Sequence, residues 1–227
     1  MRILYAAIDQ VVPGTVGGAV HVEAVAKGLA ARGHEVHVLA RAGTDGFPSN
    51  GATWHDLGPP LGRRQLRLLR SARVLDLARR IRPEVVIERY YNFGGEGVRA
   101  ALAVGALTVL EVNAPVVDHR GSLKHLMDRA LLIEPMRRWR EWQCRVADLI
   151  VTPSARILPA WVPPDRVLRI EWGADVDRFR PGATGPTPYP HRSGRLVTVF
   201  AGAFRRWHGA IQIVEAIRDL RQRGGGS

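Results

Sequence analysis

Apolar positions along this chain fall into short, nearly continuous runs, separated by stretches in which they recur every three or four residues. Residues 2–8 (RILYAAI) form the first run, and such a run reads as a strand covered on both faces. Asp9 is expected to end it. A loop over residues 10–17 carries Pro13 and Gly14 and reaches Gly17-Gly18. Val22, Val25, Ala26 and Leu29 then follow at helical spacing, predicting a helix over 18–32 that Gly33 closes. Residues 35–40 return as a strand, and a crossover of this length makes the two strands parallel neighbours.

The alternation repeats. A short strand is predicted at 52–57, Gly58-Pro59-Pro60 breaks the chain, and an arginine-rich amphipathic helix is predicted at 63–82. Strands follow at 84–88 and 108–112, with a helix between them that opens on Gly94-Gly95-Glu96-Gly97 and is turned by Gly105. Residues 123–146 carry a helical pattern in which Pro135 marks a kink or the first turn of a second helix. A strand at 149–152, a short helix capped by Ser154 and a strand at 166–170 complete the series. Strands alternating with helices through short turns predict an α/β fold with a doubly wound parallel sheet. The texture changes at 181–194, rich in proline and glycine, which reads as a linker closing a first domain over 1–180. Beyond it, residues 195–223 predict one strand at 196–201 and one helix at 209–223 with Ile211, Val214, Ile217 and Leu220 inward. One strand and one helix cannot close a core, so an incomplete second α/β domain is expected, followed by a linker-like tail at 224–227.

Charge adds a second feature. The 227 residues carry a formal net charge of +12, and nearly all the cations are arginine. Arg63, Arg64, Arg67, Arg70, Arg73, Arg79, Arg80 and Arg82 stand against Asp76 alone. Such a stretch reads as a solvated helix face or as a contact for an anionic membrane surface; aromatic interleaving and a nucleic-acid motif are both missing, so no nucleic-acid partner is expected. No run is long and apolar enough for a membrane span, and no signal peptide stands at the start. The expectation is a cytoplasmic protein, with the inner face of the membrane as a peripheral docking place. The single cysteine, Cys144, sits in a helical pattern and reads as packing.

The candidate chemistry lies where strands end. A helix starting on Gly17-Gly18 just past a parallel strand presents backbone N–H groups to an anion or to sugar hydroxyls, although the glycines also serve a tight turn. The spacing does not match G-x-G-x-x-G, Ala40-Arg41 stands where a dinucleotide fold places an acid, and no P-loop, metal-ligand spacing or G-x-S-x-G elbow occurs. His21 falls in the first turn of the glycine-started helix. Glu88, Arg89, Tyr90, Glu111, Asn113, Asp118 and His119 lie at or just after strand ends, as contacts for acceptor hydroxyls or as loop caps.

Four stretches together resemble the retaining glycosyltransferases of glycosyltransferase family 4, which have the two-domain GT-B fold. Gly17-Gly18 through His21 to Gly33-His34-Glu35-Val36 is similar to the family's first loop, helix and second strand. The run from Ile170-Glu171-Trp172-Gly173-Ala174-Asp175 to Phe179-Arg180-Pro181 resembles its "NGVD…F.P" segment, and Gly202 to Gly209 its "GR…KG" turn. Residues 87–90 and 110–115 resemble elements of one branch. The resemblance implies a Rossmann-like acceptor domain, followed by a nucleotide-sugar domain that is truncated here. It implies hexosyl transfer with retention from a UDP- or GDP-linked sugar to a sugar or lipid-linked acceptor, with no metal or other cofactor. Gly17 and Gly18 would approach the donor diphosphate. Asn113 stands where the family commonly places a histidine, with Glu111 and Asp118 beside it as the catalytic group. The family's diphosphate cations fall at Ala203 and His208, so Arg205 and Arg206 are the substitutes. The family's paired donor-site glutamates lie beyond residue 227, which implies that this polypeptide alone is inactive. A nonenzymatic membrane- or polyanion-binding module is the alternative of a different class.

Overall fold

The computed structural model describes residues 1–116, 134–171, 173–177, 179–180, 182, 197–202 and 209–223. The chain divides into two compact units, Met1–Trp172 and Gly173–Ser227.

The first unit is built on a seven-stranded parallel sheet. Its strands are β1 (Arg2–Val12), β2 (Glu35–Ala42), β3 (Thr53–Asp56), β4 (Val85–Arg89), β5 (Leu107–Glu111), β6 (Leu149–Thr152) and β7 (Val167–Arg169). They lie in the order β3-β2-β1-β4-β5-β6-β7. The order reverses between β1 and β4, and the carboxyl ends flanking such a switch point form a crevice where ligands of open α/β sheets bind. Helices cover both faces: α1 (Gly17–Ala31), α2 (Ser71–Ile81), α3 (Glu96–Val104) and α4 (Glu134–Val146). The period-two geometry of β1 sorts its side chains between them. Leu4, Ala6 and Ile8 join Val74, Ala78, Ala100 and Ala101 of α2 and α3, while Tyr5 and Ala7 join Ala19, Val22 and Ala26 of α1. A third cluster packs Leu110, Val112 and Ile150 against Val98 and Cys144. Cys144 is wholly buried, and burial above all pushes its thiol up to about 12, so it packs as an inert apolar group.

Several boundaries move for physical reasons. β1 continues past Asp9 to Val12, because after an irregularity it pairs again with β2 at Val11↔Arg41 and Val12↔Ala42. The single helix expected at 63–82 is a 3-10 segment, Arg64–Arg70, followed by α2, which Arg82 closes in the left-handed conformation at φ 51°. The break follows from Arg67. Expected among the solvated cations, it is turned inward and has no exposed surface. Helix α4 is described from Glu134 to Val146, and the earlier part of the expected helical pattern, residues 123–133, lies outside the described residues. Ser154 caps a short 3-10 turn, accepting from the Arg156 N–H at 3.4 Å.

In the second unit, helix α5 (Ala210–Gln222) starts after Gly209, held at φ 75°. Residues 197–200, expected in a strand, lie in none. The face expected inward is open as well, with Ile211, Val214 and Leu220 exposed at 65%, 67% and 60%. A strand needs a ladder and an apolar face needs a cover, and the described residues of this unit supply neither. No helix among the described residues is long and apolar enough to cross a membrane.

Candidate functional site

The ligand edge of the sheet is organised around Glu111, the last residue of β5. Strand register sets Arg89 directly beside it on β4, and Arg89 Nη1 donates to Glu111 Oε1 at 2.5 Å. His21 Nε2 reaches the same oxygen at 3.0 Å from the first turn of α1. The Asn113 amide donates to it from two residues downstream. The other oxygen accepts the hydroxyl of Tyr5, which is wholly buried in β1. Burial works against ionisation of Glu111, but donation from His21 and the positive Arg89 outweigh it and hold the carboxyl below its ordinary value. The Tyr5 hydroxyl is pushed well above its ordinary value, by burial first and by the Glu111 charge next, so it stays a donor.

Helix α1 starts beside this group. Val16 at its N-cap has no side-chain oxygen to offer, and no acidic residue stands in the first turn. The positive end of the helix is therefore uncompensated by its own sequence. The two glycines differ in surroundings. A methyl at Gly17 would meet nothing within 4 Å, whereas one at Gly18 would stand 2.3 Å from Gln10 Oε1 and 3.3 Å from Arg89 Nη2. Backbone N–H groups and a guanidinium thus converge on the same few ångströms, a suitable place for a phosphate or carboxylate.

Beneath this edge lies a buried ionic cluster. Arg67 donates through Nε to Glu96 Oε1 at 2.6 Å, through Nη1 to Asp9 Oδ1 at 2.7 Å and through Nη2 to Glu88 Oε1 at 2.8 Å. Glu88 also accepts the N–H groups of Gly95 at 3.1 Å and Gly97 at 2.7 Å, capping the start of α3. Close approach requires these glycines: a methyl on Gly97 would fall 2.5 Å from Glu88 Oε2. Desolvation opposes the Arg67 charge, but Glu96, Glu88 and Asp9 overcome it and raise the guanidinium above its usual value. Three carboxylates around one cation leave excess negative charge, and burial together with Glu96 pushes Glu88 up to about 8.

The expected site residues therefore separate. Gly17, Gly18, His21, Arg89, Glu111 and Asn113 come together. Glu88 lies below them, wholly buried, with both oxygens engaged by Arg67 and the α3 amides. Tyr90 is 8% exposed and donates its hydroxyl to Asn92 Oδ1 at 3.2 Å. Asp118, His119, Arg205, Arg206 and His208 lie outside the described residues. Tyr5, Asp9, Gln10, Arg67 and Glu96 were not legible as site-supporting residues. Only Tyr5 carried a signal, since a phenol inside a doubly covered strand must find a partner for its hydroxyl. Among the described residues no cluster of three or more His, Cys, Asp or Glu is arranged to hold a metal ion.

The family model described as Glycosyltransferase Family 4 matches residues 16–178. The chain belongs to this family. Among solved structures, Alr3699/HepE of Anabaena, determined in complex with UDP-glucose, is similar over 82% of this chain and 47% of its own, at 16% identity and a TM-score of 0.54. A glycosyltransferase of Rickettsia africae ESF-5 matches over 82% of this chain and 46% of its own, at 16% identity and a TM-score of 0.51. The spinosyn forosaminyltransferase SpnP matches over 95% and 61%, also at 16% identity and 0.51. At such identity the likeness is one of fold, a Rossmann-like parallel sheet of the GT-B kind, and the chain spans about half the length of the first two neighbours. No curated protein matches the chain.

Proposed function

We propose that this family 4 chain is the acceptor-side half of a glycosyltransferase that moves a hexosyl group, with retention, from a UDP- or GDP-linked sugar to a sugar or lipid-linked acceptor. The observation that carries this reading is the convergence of His21, Arg89 and Asn113 on Glu111 Oε1, beside the Gly17-Gly18 helix start at the sheet's switch point.

Each group has a role that its surroundings support. Gly17 leaves open space, so a diphosphate can approach the first amides of α1, with Arg89 Nη2 neutralising part of its charge. His21, its side chain 25% exposed, and Asn113 receive the acceptor hydroxyl, while Glu111 polarises His21 and fixes its orientation. Glu111 accepts four side-chain donors and acts by positioning them rather than by attacking a sugar carbon. Asp118 and His119 are assigned to the acceptor side. Arg205, Arg206 and His208 are assigned to the departing diphosphate, since charge leaving with a nucleotide needs cations. The isolated chain is expected to turn over slowly or not at all, because most of a donor-binding domain would have to be supplied to it.

The test is an NMR titration of the 227-residue chain with UDP-glucose, GDP-mannose and a panel of mono- and disaccharide acceptors, assaying nucleotide release in the same samples. Shifts confined to the Gly17 and Gly18 amides and the His21 ring, without release, are expected. A folded chain whose site resonances stay still throughout the panel would sink the reading. Rapid release would overturn the half-enzyme assignment.

A further inference from the structure

Two imidazoles meet at the β3 border of the sheet. His37 of β2 and His55 of β3 share the face that packs against α2, since His37 stands two residues before Leu39 and His55 pairs with Leu39. His37 Nδ1 and His55 Nε2 are 3.0 Å apart. The ring centroids stand 5.3 Å apart, close to the largest separation that such a contact permits, so the two nitrogens point head-on along one line. That line suits one shared proton. A divalent ion about 2 Å from each nitrogen would need both lone pairs turned towards a point off the line, which these rings do not offer.

Glu35 decides how the protons are arranged. Its Oε1 accepts from His37 Nε2 at 3.0 Å, so the neutral His37 ring keeps its proton on Nε2 and leaves Nδ1 bare. Nδ1 then accepts from His55 Nε2–H. A first added proton fits, because His55 can take it on Nδ1 and still donate through Nε2. A second does not. It has to enter at His37 Nδ1, where it faces the His55 N–H and sets two positive rings head-on at 3.0 Å. Burial above all, then the His37 and Arg80 charges, hold the His55 ring below its ordinary value. Of the charged groups around the pair, Arg80 comes from α2 and is itself joined to Asp76 at 3.1 Å, while Asp56, next to His55, is turned to the Ala42 amide at 3.2 Å. Glu35 is the acid that favours protonation.

Strand β3 is held lightly. It has four residues, lies at the end of the strand order and pairs with β2 alone. Beyond the ladder, the Leu57 amide donates to the Ala40 carbonyl at 2.8 Å and Trp54 stacks on Phe47. We propose that His37 and His55 form an acid-released latch on β3: with at most one added proton between them the strand stays on β2, and with two it leaves and uncovers the β2 edge. The latch does not depend on the transferase reading.

The experiment is hydrogen exchange by NMR on the 227-residue chain from pH 8 to pH 5, corrected for the intrinsic pH dependence of exchange. The Leu57 and Ala42 amides report the latch, and the Tyr90 and Val112 amides, bonded to the Glu111 and Val151 carbonyls, report the rest of the sheet. Protection at Leu57 and Ala42 is expected to fall about tenfold or more between pH 7 and pH 5 while Tyr90 and Val112 hold. His55→Gln, whose amide donates to His37 Nδ1 without titrating, should abolish the fall. Glu35→Gln should move the midpoint to lower pH and Arg80→Gln to higher pH, because one withdraws a negative and the other a positive charge from the pair. Both side chains are exposed, so these two variants test the latch even where His55→Gln does not fold. Imidazole nitrogen shifts of the unaltered chain at pH 8 should place the His37 proton on Nε2. Steady protection at Leu57 down to pH 5, an equal fall in His55→Gln, midpoint shifts of one sign in the two charge variants, or a His37 proton on Nδ1 would each overturn the latch. So would a parallel loss at Tyr90 and Val112, which would mark unfolding of the whole sheet.

Discussion

The Gln10 side chain lies so close to Gly18 that a methyl group there would stand 2.3 Å from Gln10 Oε1 and 3.1 Å from its Cδ. Gln10 cannot move aside without cost, because its amide donates to Asp9 at 2.5 Å and Asp9 is held by Arg67. Gly18→Ala is therefore expected to destabilise the chain by about 1–2 kcal/mol, the scale of a disturbed buried hydrogen bond. Gly17→Ala meets nothing and, in the first turn of a helix, should change stability by less than about 0.5 kcal/mol. It should nevertheless weaken anion or nucleotide-sugar binding, since the methyl occupies the space a ligand would use. Urea midpoints together with a UDP-glucose titration check both halves.

Removing the Arg67 cation leaves Asp9, Glu88 and Glu96 buried without it. Arg67→Met should cost about 3–5 kcal/mol, the usual penalty for orphaning buried charge. Arg64→Met, whose side chain is 53% exposed and 4.0 Å from Asp9, should cost less than about 0.5 kcal/mol. Equal midpoints for the two variants would show that the cluster is not holding the fold.

The cluster also predicts a pH dependence. Glu88 titrates near 8 when folded, against 4.5 as its ordinary value. Below the lower value it is protonated in both states and its contribution is fully present. As pH rises toward about 8 the unfolded chain ionises first, so stability declines through this window and levels off above it. The fall should be a few kcal/mol and should be absent in Glu88→Gln. Thermal unfolding from pH 5 to 9 measures it.

Glu111 should behave in the opposite sense. Its folded carboxyl lies below the ordinary value, so its contribution holds above that value and disappears as pH falls through the folded one. Tyr5→Phe removes the donor to Oε2 and should cost about 1–2 kcal/mol. It should also move the Glu111 titration upward, which carboxyl carbon NMR resolves directly.

The strands of the first unit, the glycine-started helix and the parallel character of the sheet were legible because each is written locally, in runs of apolar residues and the turns between them. β6 falls on the residues its pattern marks. The site was legible only as a set of polar strand ends. That Arg89 and Glu111 form a pair while Glu88 faces the other way depends on β4–β5 register, a relation between segments 22 residues apart. Arg67 was misjudged for a related reason. In its own segment it is one arginine among eight, and only the three acids gathered from β1, β4 and α3 make its burial favourable. The apolar face of α5 shows the converse case, a periodicity correctly seen whose cover the described residues do not contain.

The position of β1 between β2 and β4 constrains the order in which this protein is made. Its first residue pairs with Glu35 on one side, yet its amide donates to the Glu84 carboxylate, 82 residues away, on the other. During synthesis β1 and β2 can meet early, but the opposite flank of β1 stays bare until β4 has left the ribosome. Through that interval a nascent chain carries an apolar strand edge with no partner, the condition in which chaperones engage and in which stalled chains associate with one another.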